Sequence, residues 1–284
     1  SDLGYSNKNQ SRIGISLNSL DEYIRDLSNA ICTPEPSYEE IGVKVDGQYR
    51  QLNANLLQIE NEYYSSLRPK RVARSGERPT AALRRAGVES VEVRSLDLNR
   101  FAPSGINQNT MRFLESFLLY CLLEDSPKLD AGELEDISYN HTGTAKRGRD
   151  PDFRLRRNGS EITLREWASE ILDKVRAVSQ VIDRHDDNYS AAITSLRRLV
   201  DEPEATLSSR IIRELEDTGS SFFEFARGMG KCHRDYFASI APLGDARAET
   251  LATEATDSLQ RQEAIEAADA ISLDEYLEQY FRRC

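Results

Sequence analysis

Residues 88–99 read VESVEVRSLDLN, and within them Glu92 and Arg94 stand two positions apart in a run with the β-branched content of a strand. Strand residues two apart project to the same side. Ser90, Glu92 and Arg94 therefore share one face, while Val91 and Val93 take the other and are expected to supply core. The acid and the base lie about 7 Å apart along such a strand. A carboxylate on a rigid strand suits a hard cation, because Mg²⁺ takes oxygen ligands at fixed geometry and pairs with phosphates. A guanidinium beside it can hold a phosphoryl or carboxylate group in a two-pronged fork. The competing reading is a cross-strand ion pair on a solvated face.

A second concentration of chemistry precedes it. Residues 65–79, SSLRPKRVARSGERP, carry Arg68, Lys70, Arg71, Arg74 and Arg78 with little apolar content. The stretch reads as an exposed or ligand-facing loop, stiffened by Pro69 and turned at Ser75-Gly76-Glu77. Clustered positive charge in an otherwise acidic chain suits an anionic ligand such as a nucleotide tail. Arg68 and Arg74 are the candidate nucleotide contacts, chosen on charge alone; a solvated loop is the alternative. No GxxxxGK[ST] motif exists in the chain, so the stretch is not a P-loop.

The elements that must position these groups are legible in part. Leu17, Leu20, Ile24, Leu27 and Ile31 recur at helical spacing. Residues 41–53 read as a hairpin turning at Asp46-Gly47, and 53–64 as a further strand with Leu57 and Ile59 on one face. Met111, Leu114, Phe117, Leu118, Cys121 and Leu122 form one stripe of a helix expected to be buried. The polar segment 138–161 reads as a long loop. Thr163-x-x-Glu166 is a capping box that opens a helix over 163–183, and Ser272-x-x-Glu275 opens another over 272–283. Further helices are expected near 189–200, 206–217, 221–239 and 245–268. The layout is α+β: a small antiparallel sheet, then helices.

The bulk numbers set limits. A net charge of −11 over 284 residues argues against a general nucleic-acid surface. No stretch approaches the ~18 apolar residues of a membrane span, and the N-terminus has no secretory pattern. Cys32, Cys121, Cys232 and Cys284 are far apart, without CxxC spacing, and read as free thiols of a reducing, cytoplasmic compartment. No pair of these cysteines and His141, His185 and His233 has zinc-ligand spacing.

Long strings of the chain resemble one family. SDLGYSNKNQS (1–11), LQIENEYYSSLRPKRVARSGERPTAALRRAGVESVEVRSLDLNRFAPSGI (57–106), LSSRIIRELEDTG (207–219) and LQRQEAIEAAD (259–269) are similar to bacterial glutamate–cysteine ligase, also called γ-glutamylcysteine synthetase. The resemblance implies a curved antiparallel sheet of the glutamine-synthetase-like type, present in part, whose concave face holds Mg²⁺ (or Mn²⁺) and ATP. It implies a division into 1–104, part of a catalytic sheet domain, and 105–284, a helical region packed on it. It implies joining of the γ-carboxylate of glutamate to the amine of cysteine through a γ-glutamyl phosphate, the first step of glutathione synthesis. On that basis Glu92 would be a magnesium ligand and Arg94 the catalytic cation at the transferring phosphoryl group, with Tyr5 and Tyr64 lining the cysteine pocket. Members of the family are longer. The resemblance therefore also implies a C-terminal portion that partners a missing N-terminal segment and is inactive alone. A related glutamate–amine ligase, or a non-catalytic α+β module that binds a nucleotide or a partner, is the alternative. No nucleic acid and no membrane is expected among its partners.

Overall fold

The structure, a computed structural model, describes residues 13–183, 188–240 and 244–282. Among these, Asp97–Ile240 form one compact unit. The residues up to Leu96 form another, together with those that follow Ile240. This grouping differs from a simple division at 104/105, because the last helices belong with the first part of the chain.

The unit built from the two ends of the chain starts at helix α1, Leu20–Ala30, where Ser19 accepts a hydrogen bond from the Glu22 amide. Its apolar stripe buries Tyr23, Ile24 and Leu27, which pack with Ile31, Leu57 and Leu83 into one core. Helix α2, Pro36–Glu39, follows. Strands β1, Lys44–Val45, and β2, Gln48–Tyr49, form the expected hairpin. Asp46 and Gly47 both adopt positive φ at its turn, which is why Asp-Gly is favoured there.

Residues 53–64 are not a strand. Only an isolated bridge pairs Pro34 with Asn55, and the segment ends in a 3-10 turn, Glu60–Glu62. Its polar side chains take over the backbone groups that a ladder would have used. Asn55 Nδ2 donates to the Ile31 carbonyl at 2.5 Å, Gln58 Oε1 accepts from the Leu52 amide at 2.8 Å, and Glu62 Oε2 accepts from the Gln58 amide at 2.6 Å.

The basic stretch is not wholly a loop either. Strand β3, Leu67–Lys70, pairs antiparallel with β4, Ser90–Val93, and helix α3, Pro79–Ala86, lies between them in the chain. Val91 is exposed and Val93 only half-buried, so the valine face does not supply core among the described residues.

In the other unit, helix α4, Gln108–Leu123, packs through Phe113, Phe117 and Tyr120. Met111, Leu118 and Leu122 of the expected stripe are exposed, as is Cys121. The segment 138–161 is ordered into regular elements. Helix α5, Ala131–Arg147, opens with a capping box of Asp130 and Glu133. Strands β5, Arg154–Arg157, and β6, Ser160–Thr163, form a hairpin closed by Asn158-Gly159, both at positive φ. Helix α6, Leu164–Ile182, carries the expected capping box and packs with α4 and α7, Asn188–Asp201, around Leu172, Val175 and Ile193. Helices α8, Leu207–Thr218, and α9, Phe222–Ser239, complete this unit.

Helices α10, Asp245–Ala268, and α11, Leu273–Phe281, return to the first unit. Asp274 of α11 accepts from Lys44 at 2.9 Å and from the Tyr49 hydroxyl. The fold class is therefore α+β, with three separate two-stranded antiparallel ribbons among the described residues. Cys32 is disulfide-bonded, which corrects the free-thiol reading at that position. Cys121 and Cys232 are free, and Cys284 lies outside the described residues.

Candidate functional site

The β3–β4 ribbon brings the two chemical concentrations of the sequence onto one surface. Its register sets Arg68 directly opposite Glu92, and Lys70 opposite Ser90. Directly opposed residues on an antiparallel pair have Cβ atoms about 5 Å apart. Lys70 Nζ pairs with Glu92 Oε2 at 3.3 Å, both side chains remaining partly exposed. The Arg94 amide donates to the Ser66 carbonyl at 2.8 Å, which continues the ladder and keeps Arg94 in phase with Glu92.

Tyr64 completes the group. The residue is 59% exposed. The Arg94 guanidinium stands over it at 4.6 Å and the Arg68 guanidinium lies at 6.0 Å, both within cation–π range. Tyr64 thus touches the residue expected to act on a phosphoryl group, although the resemblance places it in the cysteine pocket. Tyr5 lies outside the described residues.

The two candidate nucleotide contacts part company. Arg68 is only 8% exposed and its Nη2 donates to backbone carbonyls, Asn61 at 3.0 Å and also Tyr63. Its buried Nε meets no acceptor. Burial, then the charge of Arg94, lowers the pKa of Arg68, and Glu92 opposes that shift. Arg74 is exposed on the turn that follows β3, and its amide donates to Glu77 at 2.9 Å. The structure does not bring Arg74 into the ribbon cluster. Arg71 and Arg78 of the same stretch serve the fold. Arg71 Nε donates to the Gly87 carbonyl at 2.9 Å, and Arg78 pairs with the fully buried carboxylate of Glu60 at 3.4 Å.

Two participants were not singled out from sequence. Lys70 was one cation among five, and its pairing with Glu92 becomes visible only once LRPK is a strand. Glu60 falls in the stretch 53–64 that reads as a strand. It accepts from the Thr80 amide at 2.7 Å and the Thr80 hydroxyl at 2.6 Å, and so caps the first turn of α3 from a distant point in the chain. No local motif announces such a cap.

The donor set can be tested against a metal. Among the described residues no group of three or more His, Cys, Asp or Glu converges. The ribbon face presents Glu92 beside Arg68, Lys70 and Arg94, a set that favours an anion. Glu92 fits Mg²⁺ as one oxygen ligand next to phosphate oxygens, which is how this ion is commonly held.

An acid and several cations on one ribbon of an α+β protein are donor types that a phosphate-bearing ligand would need. Comparison with known proteins carries this further. The glutamate-cysteine ligase family profile matches residues 1–144, and the chain belongs to that family. It is 48% identical to glutamate–cysteine ligase of Alcanivorax borkumensis over 288 residues, covering 99% of this chain and 55% of that protein. It is 44% identical to the Shewanella oneidensis enzyme, over 99% of this chain and 54% of the relative. A crystal structure of glutamate–cysteine ligase from Francisella tularensis in complex with AMP superposes with a TM-score of 0.90 at 34% identity. The match covers 97% of this chain and 55% of that one. The chain thus spans about half the length of the relatives it matches.

Proposed function

We propose that this chain contributes to the ATP-dependent joining of glutamate and cysteine, and that the β3–β4 ribbon is its phosphate-handling surface. The single observation that carries the reading is the register that gathers Glu92, Arg94 and Tyr64 in one place within a chain of this family. The AMP bound to the Francisella relative supports a nucleotide as one ligand.

In this reading the glutamate γ-carboxylate attacks the terminal phosphorus of ATP. ADP leaves and a γ-glutamyl phosphate forms. The cysteine amine then attacks the acyl carbon, phosphate departs, and the nitrogen loses its proton. Arg94 stabilises charge on the transferring phosphoryl group, where a preoriented guanidinium is worth most. Lys70 neutralises Glu92 until ligand binds. Tyr64, with Tyr5, lines the pocket for the amine substrate. Arg74 is an outer contact for the nucleotide. Glu92 would hold Mg²⁺, which when bound would supply positive charge to stabilise the charge on the transferring phosphoryl group. The two-stranded ribbon is read as part of a curved sheet of the glutamine-synthetase-like type, and the protein as cytoplasmic.

The test is calorimetric titration of the chain with ATP and Mg²⁺, followed by assay of ADP release with both amino acids. Glu92→Gln and Arg94→Ala are expected to weaken Mg·ATP binding at least tenfold. Unchanged affinity in both variants would remove the ribbon as the nucleotide surface. ADP release that needs both glutamate and cysteine supports the ligase. Binding of nucleotide without turnover favours the second reading, a nucleotide-binding module inactive on its own.

A further inference from the structure

We propose that Arg68 is a positioning residue that sets Tyr64 against Arg94 and thereby tunes the hold on the amine substrate, rather than a contact for the nucleotide. Its consequence for substrate rests on the ligase reading above; its structural core does not.

The argument starts from the weakness of the turn that carries Tyr64. Glu60–Glu62 is a three-residue 3-10 turn whose N-cap, Ile59, supplies no side-chain hydrogen bond. Short 3-10 turns contribute little by themselves. The bonds that close it, from Glu62 to the Ile59 carbonyl at 3.1 Å and from Tyr63 to the Glu60 carbonyl at 3.4 Å, include one at the long limit. Something outside the turn must hold it.

Two side chains do so from opposite directions. Glu60 reaches out of the turn to the Thr80 amide and hydroxyl and to Arg78, which anchors its start on α3. Arg68 reaches in from β3 and binds the carbonyls of Asn61 and Tyr63. The second of these matters most. The Tyr63 carbonyl belongs to the same planar peptide group as the Tyr64 amide. Fixing that oxygen fixes the plane from which the Tyr64 side chain departs. Arg68 also pairs in register with Glu92, so this one residue joins the tyrosine turn, held by its guanidinium, to the ladder, held by its backbone, that carries Glu92 and Arg94. With its Nη2 spent on carbonyls and the residue 8% exposed, Arg68 is poorly placed to meet a nucleotide.

Arg68→Lys keeps the charge and loses the planar fork, whereas Arg68→Ala loses both. Hydrogen exchange of the full chain is the direct readout. In Arg68→Lys the Glu62 and Tyr63 amides are expected to exchange about tenfold faster, while the β3–β4 ladder amide of Arg94 keeps its protection. Unchanged protection at Glu62 and Tyr63 overturns the proposal. Titration supplies the second readout: both variants are expected to weaken cysteine binding at least tenfold and to leave Mg·ATP affinity within twofold. In a Tyr64→Ala background, Arg68→Lys is expected to add nothing further for cysteine, because the two act as one unit. Loss of ATP affinity in Arg68→Ala that Arg68→Lys restores would overturn positioning in favour of a nucleotide contact. If the wild-type chain bound neither cysteine nor ATP, the ligase reading would fall. The exchange result would still decide whether Arg68 holds the turn.

Discussion

Two antiparallel ribbons of this molecule have nearly the same make-up and different surroundings. β3–β4 sets Arg68 opposite Glu92, and β5–β6 sets Arg156 opposite Glu161. In β5–β6 the cations meet local partners. Arg156 stacks on Tyr139 at 3.9 Å and approaches Asp136 at 3.8 Å, while Arg157 stacks on Trp167 at 5.4 Å and pairs with Glu170 at 2.5 Å. Asn140 binds both the amide and the carbonyl of Arg156, at 2.8 and 2.7 Å. In β3–β4 one carboxylate faces Arg68 and Lys70 together, and Arg94 is held by an aromatic ring rather than by an acid. Composition does not separate the two ribbons. The supply of compensating acids does, and on the proposed reading it is the less compensated β3–β4 that would attract an anion.

The largest effect that would sharpen this contrast lies beneath β3–β4. Glu60→Ala strips a fully buried carboxylate from Arg78 and from both Thr80 donors. Removing one member of a buried pair costs about 3–5 kcal/mol. The urea midpoint of the unit should fall accordingly, whereas Asp136→Ala beside the other ribbon should cost at most about 1 kcal/mol. Comparable losses in the two variants would erase the distinction between a buried support and a surface one.

The next contrast is functional. Glu92→Gln is expected to weaken Mg·ATP binding at least tenfold, while Glu161→Gln, at the equivalent register of the other ribbon, leaves it unchanged. Equal effects in a titration would mean that neither acid is a ligand. Smaller still is Arg156→Ala. It removes a cation–π contact at an exposed site and should cost about 0.5–1 kcal/mol in thermal or urea unfolding, with no change in nucleotide affinity.

The comparison also explains what could be read in advance. Both ribbons sit in polar, basic stretches that suggested loops. The β5–β6 hairpin carries the Asn158-Gly159 turn signal and α5 carries Asp130-x-x-Glu133, so both elements have a local signature within their polar stretch. β3 was different. Pro69 argued against a strand, and its partner lies beyond α3, so no local pattern could supply the pairing. The spacing of Glu92 and Arg94 did place them on one face, since period-two geometry is local. Burial is not local: it took Arg68 out of solvent and onto backbone carbonyls, and left Val91 in solvent. The capping boxes at Thr163 and Ser272 were legible because four residues contain the whole interaction. The Glu60 cap spans 20 residues and was not.

The finest test concerns how each ribbon is closed. β5–β6 closes through a two-residue turn. The segment closing β3–β4 contains an ion pair: Arg85 grips Glu77 with both prongs at 2.8 Å, and the Arg74 amide adds a third bond at 2.9 Å. Arg85, then the Arg74 amide, depresses the Glu77 pKa from the ordinary 4.5 to about 2. A depressed carboxylate contributes stability above its unfolded pKa and loses it as pH falls through the folded one. Arg85→Ala should therefore be less stable than wild type above about pH 4.5, and the two should converge as pH approaches 2. Arg85 is open to solvent and Glu77 partly so, so the gap is small and shrinks with added salt. Urea midpoints across this pH range would measure it. A difference that persisted undiminished at pH 2 would show that Arg85 acts through packing rather than through the charge of Glu77.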